Sequence, residues 1–200
     1  MLTQIQTGAS PGYDSLAAAL RGGDASDAVD LLQSCHQRIR HFTALAARLC
    51  RPDAPPELVA QAARAVHRYY CQALPLHEAD ENDSVYPRLR ALRGTRAAGA
   101  LRPAPGAAPP PAELAEANQA MVDQHLEIDR LIAELLPLWL AIAERPEQAP
   151  ASAALVERLQ AAWDEHLTLE ERVIFPAMRQ CLHPEARAAI RREMALRRQR

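Results

Sequence analysis

The chain has 200 residues, 48% of them hydrophobic, and a formal net charge of −2. That length supports one domain with a substantial core, and the near-neutral balance gives no general pull toward nucleic acid or an anionic membrane. Aromatics make up only 4% and β-branched runs are rare, which argues against a sheet.

Residues 1–23 are polar, glycine-bearing and unpatterned, which predicts a flexible N-terminal arm. A helix is expected from the N-cap candidates Asp24 or Ser26 to about Cys50. Its stripe is Val29, Leu32, His36, Ile39, Ala46 and Cys50, at helical spacing. RPDAPP at 51–56 breaks it. A second helix is predicted over 57–93, with Val66, Tyr70, Leu74, His77, Glu81, Val85 and Leu89 on one face and a kink at Pro75. An Ala/Pro-rich linker follows at 94–111.

The third helix is expected over 112–144, with Leu114, Met121, His125, Ile128, Ile132, Leu135 and Trp139 inward and a kink at Pro137. After a connector at 145–150, the fourth covers 151–181 with Leu155, Leu159, Ala162, His166, Glu170, Val173 and Ala177 inward. Residues 184–200 form a short Arg-rich C-terminal helix. The predicted architecture is all-α: an antiparallel up-down-up-down four-helix bundle over 24–183, followed by that short helix. One tension remains in the register. His36 lies closer to the first connector than His77 does, a mismatch of roughly 9 Å at the α-helical rise.

The chemistry lies in a repeat. His77 through Pro87 and His166 through Pro176 each read His, Glu four residues on, an aromatic at the ninth step and proline at the tenth. The two stretches are 89 residues apart, as are His36 and His125 upstream of them. Residues i and i+4 share a helix face, so His77/Glu81 and His166/Glu170 can each offer one nitrogen and one oxygen to the same centre. Four imidazoles and two carboxylates on inward faces, with no lysine and no matching arginine stripe, require a counter-charge.

Such donors suit iron or manganese better than calcium or magnesium, and the lack of thiolate disfavours structural zinc. A lone histidine on a helix stripe is more often a core residue than a ligand; the doubled pattern shifts that balance. His41, His67 and His183 lack the repeat and read as surface or boundary residues. Cys35, Cys50, Cys71 and Cys181 show no C-x-x-C spacing, and Cys35 points about 100° away from His36 on a helix, a poor co-ligand.

On these motifs, over roughly 26–180, the chain resembles a hemerythrin-like (HHE cation-binding) domain. The resemblance implies a non-haem di-iron centre held by His36, His77, Glu81, His125, His166 and Glu170. Glu81 and Glu170 would bridge the irons together with an oxo or hydroxo group, and manganese is the alternative metal. Oxygen-carrying members have a fifth histidine where this chain has Asp129, so Asp129 is a candidate additional ligand and a pure oxygen carrier is disfavoured. The remaining family roles concern O2 or NO binding, iron sensing and repair.

The expected function is a metal-binding protein that binds or reacts with O2 or NO, or handles iron under oxidative or nitrosative stress. A di-iron oxidase or peroxidase is the second reading, with Tyr69, Tyr70 and Trp163 near the site as packing or redox aromatics. The third is a metal-stapled interaction module using the C-terminal arginines. Glu78 and Glu171 read as exposed helix-face neighbours of the ligands. No apolar run approaches the roughly 20 residues of a membrane span, and the N-terminus carries no leader pattern, so the expected location is cytoplasmic.

Overall fold

The computed structural model describes residues 27–51, 53–94 and 113–199; the expected arm at 1–23 and all but Gly94 of the linker lie outside these. Helix α1 covers Ala28–Leu49. Its first turn is closed by the Asp27 backbone N–H donating to Asp30 Oδ2 at 3.1 Å. Helix α2 covers residues 56–94, α3 Leu114–Glu144, α4 residues 153–181 and α5 Pro184–Arg197. A 3-10 segment, Pro146–Ser152, joins α3 to α4. The described residues contain no strand. α1 packs on α2 and α4, and α3 packs on the same two, giving the four-helix bundle that the patterning predicts. No described helix is long and apolar enough to cross a membrane.

The anticipated stripes are largely inward, with Cys50 of α1 only half-buried. In α3 all seven named residues are buried, and that helix continues unbroken through Pro137. In α4, Leu159, His166, Glu170, Val173 and Ala177 are buried as expected, while Val156 and Trp163 take the interior in place of Leu155 and Ala162, which are half-buried.

Three turns are wider than α-helical. π turns occupy Tyr69–Ala73 and Asp80–Val85 in α2, and Glu170–Ile174 in α4. Each ends two residues before a proline: Pro75, Pro87 and Pro176. A proline inside a helix lacks an N–H and its ring clashes with the carbonyl four residues back. Admitting one extra residue in the preceding turn relieves both problems without ending the helix. The tenth-step proline of the sequence repeat therefore marks a π turn, and both site glutamates lie in one.

The register tension is settled by overhang. Thr43 Oγ1 and Tyr70 Oη hydrogen-bond at 2.7 Å, seven residues from His36 and His77 respectively, so those histidines face each other across α1 and α2. The first turns of α2 project past the end of α1 and pack elsewhere. Val59 and Ala63 join the core beside Ala149, and Arg64 donates to the Ala143 carbonyl at 3.1 Å.

The core is in two parts. One, toward the short connectors, holds Ile39, Tyr70, Ile128, Trp139, Leu159 and Trp163. The other, toward α5, holds Val29, Leu32, Tyr86, Met121, Phe175 and Met194. The six repeat histidines and glutamates belong to neither and form a buried polar waist.

The Arg-rich helix is more than a solvated tail. α5 buries Ile190 and Met194, and Arg197 and Arg198 reach Asp80 at 3.0 and 2.6 Å. Asp80 is fully buried and directly precedes Glu81. Arg187 pairs with Asp27 at 3.2 Å, and Glu193 takes Arg88 at 2.7 Å. These partners lie far away in sequence, which is why composition alone shows only a run of positive charge. Replacing Asp80 with alanine strips the carboxylate that two guanidinium groups share. It should lower unfolding free energy in urea by about 3–5 kcal/mol. Asp53→Ala, which breaks an exposed pair with Arg51, should change it by less than about 1 kcal/mol.

Candidate metal centre

Each long helix contributes one histidine from the middle of its buried stripe. His36 comes from α1, His77 and Glu81 from α2, His125 from α3, and His166 and Glu170 from α4. All six side chains are buried; His125, at 6%, is the most exposed. The structure gathers them into two groups, in each of which the donor atoms lie within 4.8 Å of one another. The first is His36, His77, Glu81 and Glu170, and the second is Glu81, His125 and His166.

The contacts follow the repeat. Glu81 lies 3.0 Å from His77 Nε2 and 3.3 Å from His125 Nε2. Glu170 Oε2 lies 3.7 Å from His166 Nε2 and 2.8 Å from His36 Nε2. Each carboxylate thus takes one imidazole from its own helix, one turn back, and one from the other half of the chain. His125 Nε2 and His166 Nε2 close the waist at 3.2 Å.

These donors fit a cation. Both oxygens of Glu81 and both ring nitrogens of His77 are buried with no aligned hydrogen-bond partner. Such a group costs about 1–3 kcal/mol when left unsatisfied, and more if charged. Imidazole nitrogen with carboxylate oxygen is the mixed donor set of a transition-metal site. The electrostatics agree. Burial opposes charge on Glu81, yet the His77 and His125 imidazoles outweigh it and hold the carboxyl well below its ordinary range. Burial likewise opposes charge on His77, but Glu81 and Cys35 keep that imidazole well above its usual value. At His166 burial prevails over Glu170 and pushes the ring down.

Outer contacts orient the rings, and several were not evident in the sequence. Glu171, expected as an exposed neighbour, accepts from His36 Nδ1 at 2.9 Å and is clamped by Arg40 at 2.8 and 3.0 Å. His166 Nδ1 faces Gln124 Oε1 at 3.2 Å, and Gln124 in turn donates to Glu165. Cys35 stays out of both donor groups, as its position next to His36 implies. Its sulfur instead backs the His77 ring and receives Arg38 Nη2 at 3.2 Å. Cys35 and Gln124 are themselves 89 residues apart, so the repeat extends to these supports. Tyr86, the ninth-step aromatic, donates its hydroxyl to Glu170 Oε1 at 3.1 Å.

Asp129 is exposed and outside both donor groups. It lies near Glu78, a half-buried residue whose carboxyl is raised to about 7, by burial first and then by Asp129. His41 and His183 are exposed and His67 is half-buried. His183 serves as N-cap of α5. Tyr69, Tyr70 and Trp163 are core aromatics: Tyr69 stacks on Phe42 with centroids 4.1 Å apart, and Tyr70 packs on Trp139.

A four-helix bundle with paired His/Glu nests in its waist defines a helical metal-binding protein. The chain belongs to the hemerythrin HHE cation-binding domain family, whose model matches residues 27–104 and 116–197. The two matched stretches begin at equivalent points of the repeat. No curated protein matches the chain. Removing a ring's outer partner typically weakens metal binding by about 10–100-fold. Glu171→Ala should therefore weaken binding within that range in a metal titration, while His183→Ala leaves it unchanged.

Proposed function

We propose that the waist is a non-haem di-iron centre through which the protein binds or reacts with O2 or NO in the cytoplasm, or handles iron under oxidative and nitrosative stress. The carrying observation is that the two donor groups share Glu81, so two cations would sit side by side rather than apart. His36, His77 and Glu170 would hold one ion and His125 and His166 the other, with manganese as the alternative metal.

Bound iron would supply one-electron redox chemistry and coordination room for a diatomic ligand. The chain's own residues set the conditions. The two apolar cores exclude bulk water from both ends of the waist. Glu171 and Gln124 hold the His36 and His166 rings in place from behind, fixing which nitrogen faces inward. Burial of all six donors favours reactants of diatomic size over larger organic substrates. An interaction role for the C-terminal arginines draws less support, because Arg187, Arg197 and Arg198 already pair with Asp27 and Asp80.

The test is anaerobic loading with Fe(II), metal analysis, and optical spectra before and after O2 and NO. Two irons per chain and a spectral change with at least one gas are expected. His77→Ala and Glu170→Ala should each lose iron and the stability it confers, about 2.7 kcal/mol at a hundredfold excess over Kd. A chain that retains no iron, or loaded protein inert to both gases, would sink the reading.

A further inference from the structure

The waist has four flanks, one between each neighbouring pair of helices, and protein groups close three of them. Between α1 and α4, Glu171 holds His36 Nδ1 at 2.9 Å and is itself clamped by Arg40. Between α3 and α4, Gln124 lies against His166 Nδ1 at 3.2 Å and reaches on to Glu165. Between α1 and α2, Cys35 backs the His77 ring and receives Arg38. The flank between α2 and α3 is different. Its histidine, His125, is 6% exposed, more than any other donor, and its outer nitrogen Nδ1 is buried with no partner.

Two carboxylates occupy that flank. Glu78 on α2 is half-buried, with Oε1 buried and unpaired, and Asp129 on α3 is exposed, one turn after His125. Asp129, His125, His77 and Glu81 are all close enough to act on the charge of Glu78. Glu78 therefore stands between a surface acid and donors of both groups. The repeat shows what is particular to this flank. The position equivalent to Glu78 is the fully buried Leu167, and the one equivalent to Asp129 is Arg40, which closes the opposite flank. Like charges this close repel, and a cation between them removes the repulsion.

We propose that Glu78 and Asp129 form a cation-entry site: these two carboxylates take a divalent transition-metal ion from solution and pass it inward, past His125, to the waist. Two carboxylates offer fewer protein donors than either group in the waist, so the ion is held only in passage. The assignment rests on the two-cation reading above and adds to it a route into a set of donors that is otherwise sealed.

The test is stopped-flow mixing of metal-free protein with Co(II) under nitrogen, following visible absorption as the waist fills. At low salt the double variant Glu78→Gln/Asp129→Asn should fill at least about tenfold more slowly than wild type, the lower end of what electrostatic guidance adds to an association rate. It should still reach the wild-type stoichiometry, because none of the six donors is altered. The difference should shrink at high ionic strength. Asp129→Arg, which places on this flank the residue that stands on the opposite one, should be slower still. Asp53→Asn/Glu147→Gln removes the same charge from exposed positions in the α1–α2 and α3–α4 connectors, and should fill at the wild-type rate.

Equal filling rates for wild type and the Glu78/Asp129 variant would overturn the entry site and leave the metal reading standing. So would equal slowing by the connector pair. No Co(II) uptake by the wild type would overturn both. Asp129→Asn alone, a surface change, should slow filling in the same direction by a smaller factor, and it decides the matter if circular dichroism shows the double variant misfolded.

Discussion

Six ionisable side chains sit sealed between two apolar cores, and the rest of the structure is organised around that waist. Burying a carboxylate is expensive unless it is paired or coordinates a cation. Within the layer His77 is driven up and Glu81 down, each by the other and against burial. A bundle seeking stability alone would fill this layer with leucine, since replacing buried ion pairs by packed apolar groups is often neutral or favourable. The polar layer is retained at a cost in stability, and metal coordination is the property that offsets it.

Holding the layer requires unusual backbone. In a regular helix, a proline six residues after Glu81 or Glu170 would disturb the turn that carries the glutamate. The π turns at Asp80–Val85 and Glu170–Ile174 absorb that disturbance. They also shift the helix face by one residue, bringing Tyr86 and Phe175 inward against the donors. Asp80, at the start of the first of these turns, is gripped by Arg197 and Arg198. The C-terminal helix therefore braces the segment that presents Glu81. The corresponding turn in α4 carries Glu171, gripped by Arg40 from α1.

Much of this was legible in the sequence, for a physical reason. Apolar spacing reports which face of a helix is buried, and a His-x-x-x-Glu pair on that face already fixes two donors on one side of one rod. The doubling supplied the rest, and the six side chains do come together in the waist. What stayed hidden depends on neighbours distant in the chain. Glu171 looks like any helix-face acid until Arg40 and His36, about 130 residues earlier, are seen to flank it. The grip of α5 on Asp80 is hidden in the same way. The π turns were signalled by proline spacing, but a proline equally permits a kink or a stop, and only the packed waist selects the wider turn.

The way donors are shared also ties the chain together. The first group draws on α1, α2 and α4, and the second on α2, α3 and α4. Neither half of the repeat assembles a complete group alone, because Glu170 completes the first and Glu81 the second. A cation in either position would thus bridge the two halves across the segment at 95–112. Because such a site does not exist in the unfolded chain, binding free energy becomes folding free energy. The repeat does not form two independent half-sites: each nest is complete only when the two halves of the bundle are docked, so a cation bound there would stabilise the docked bundle.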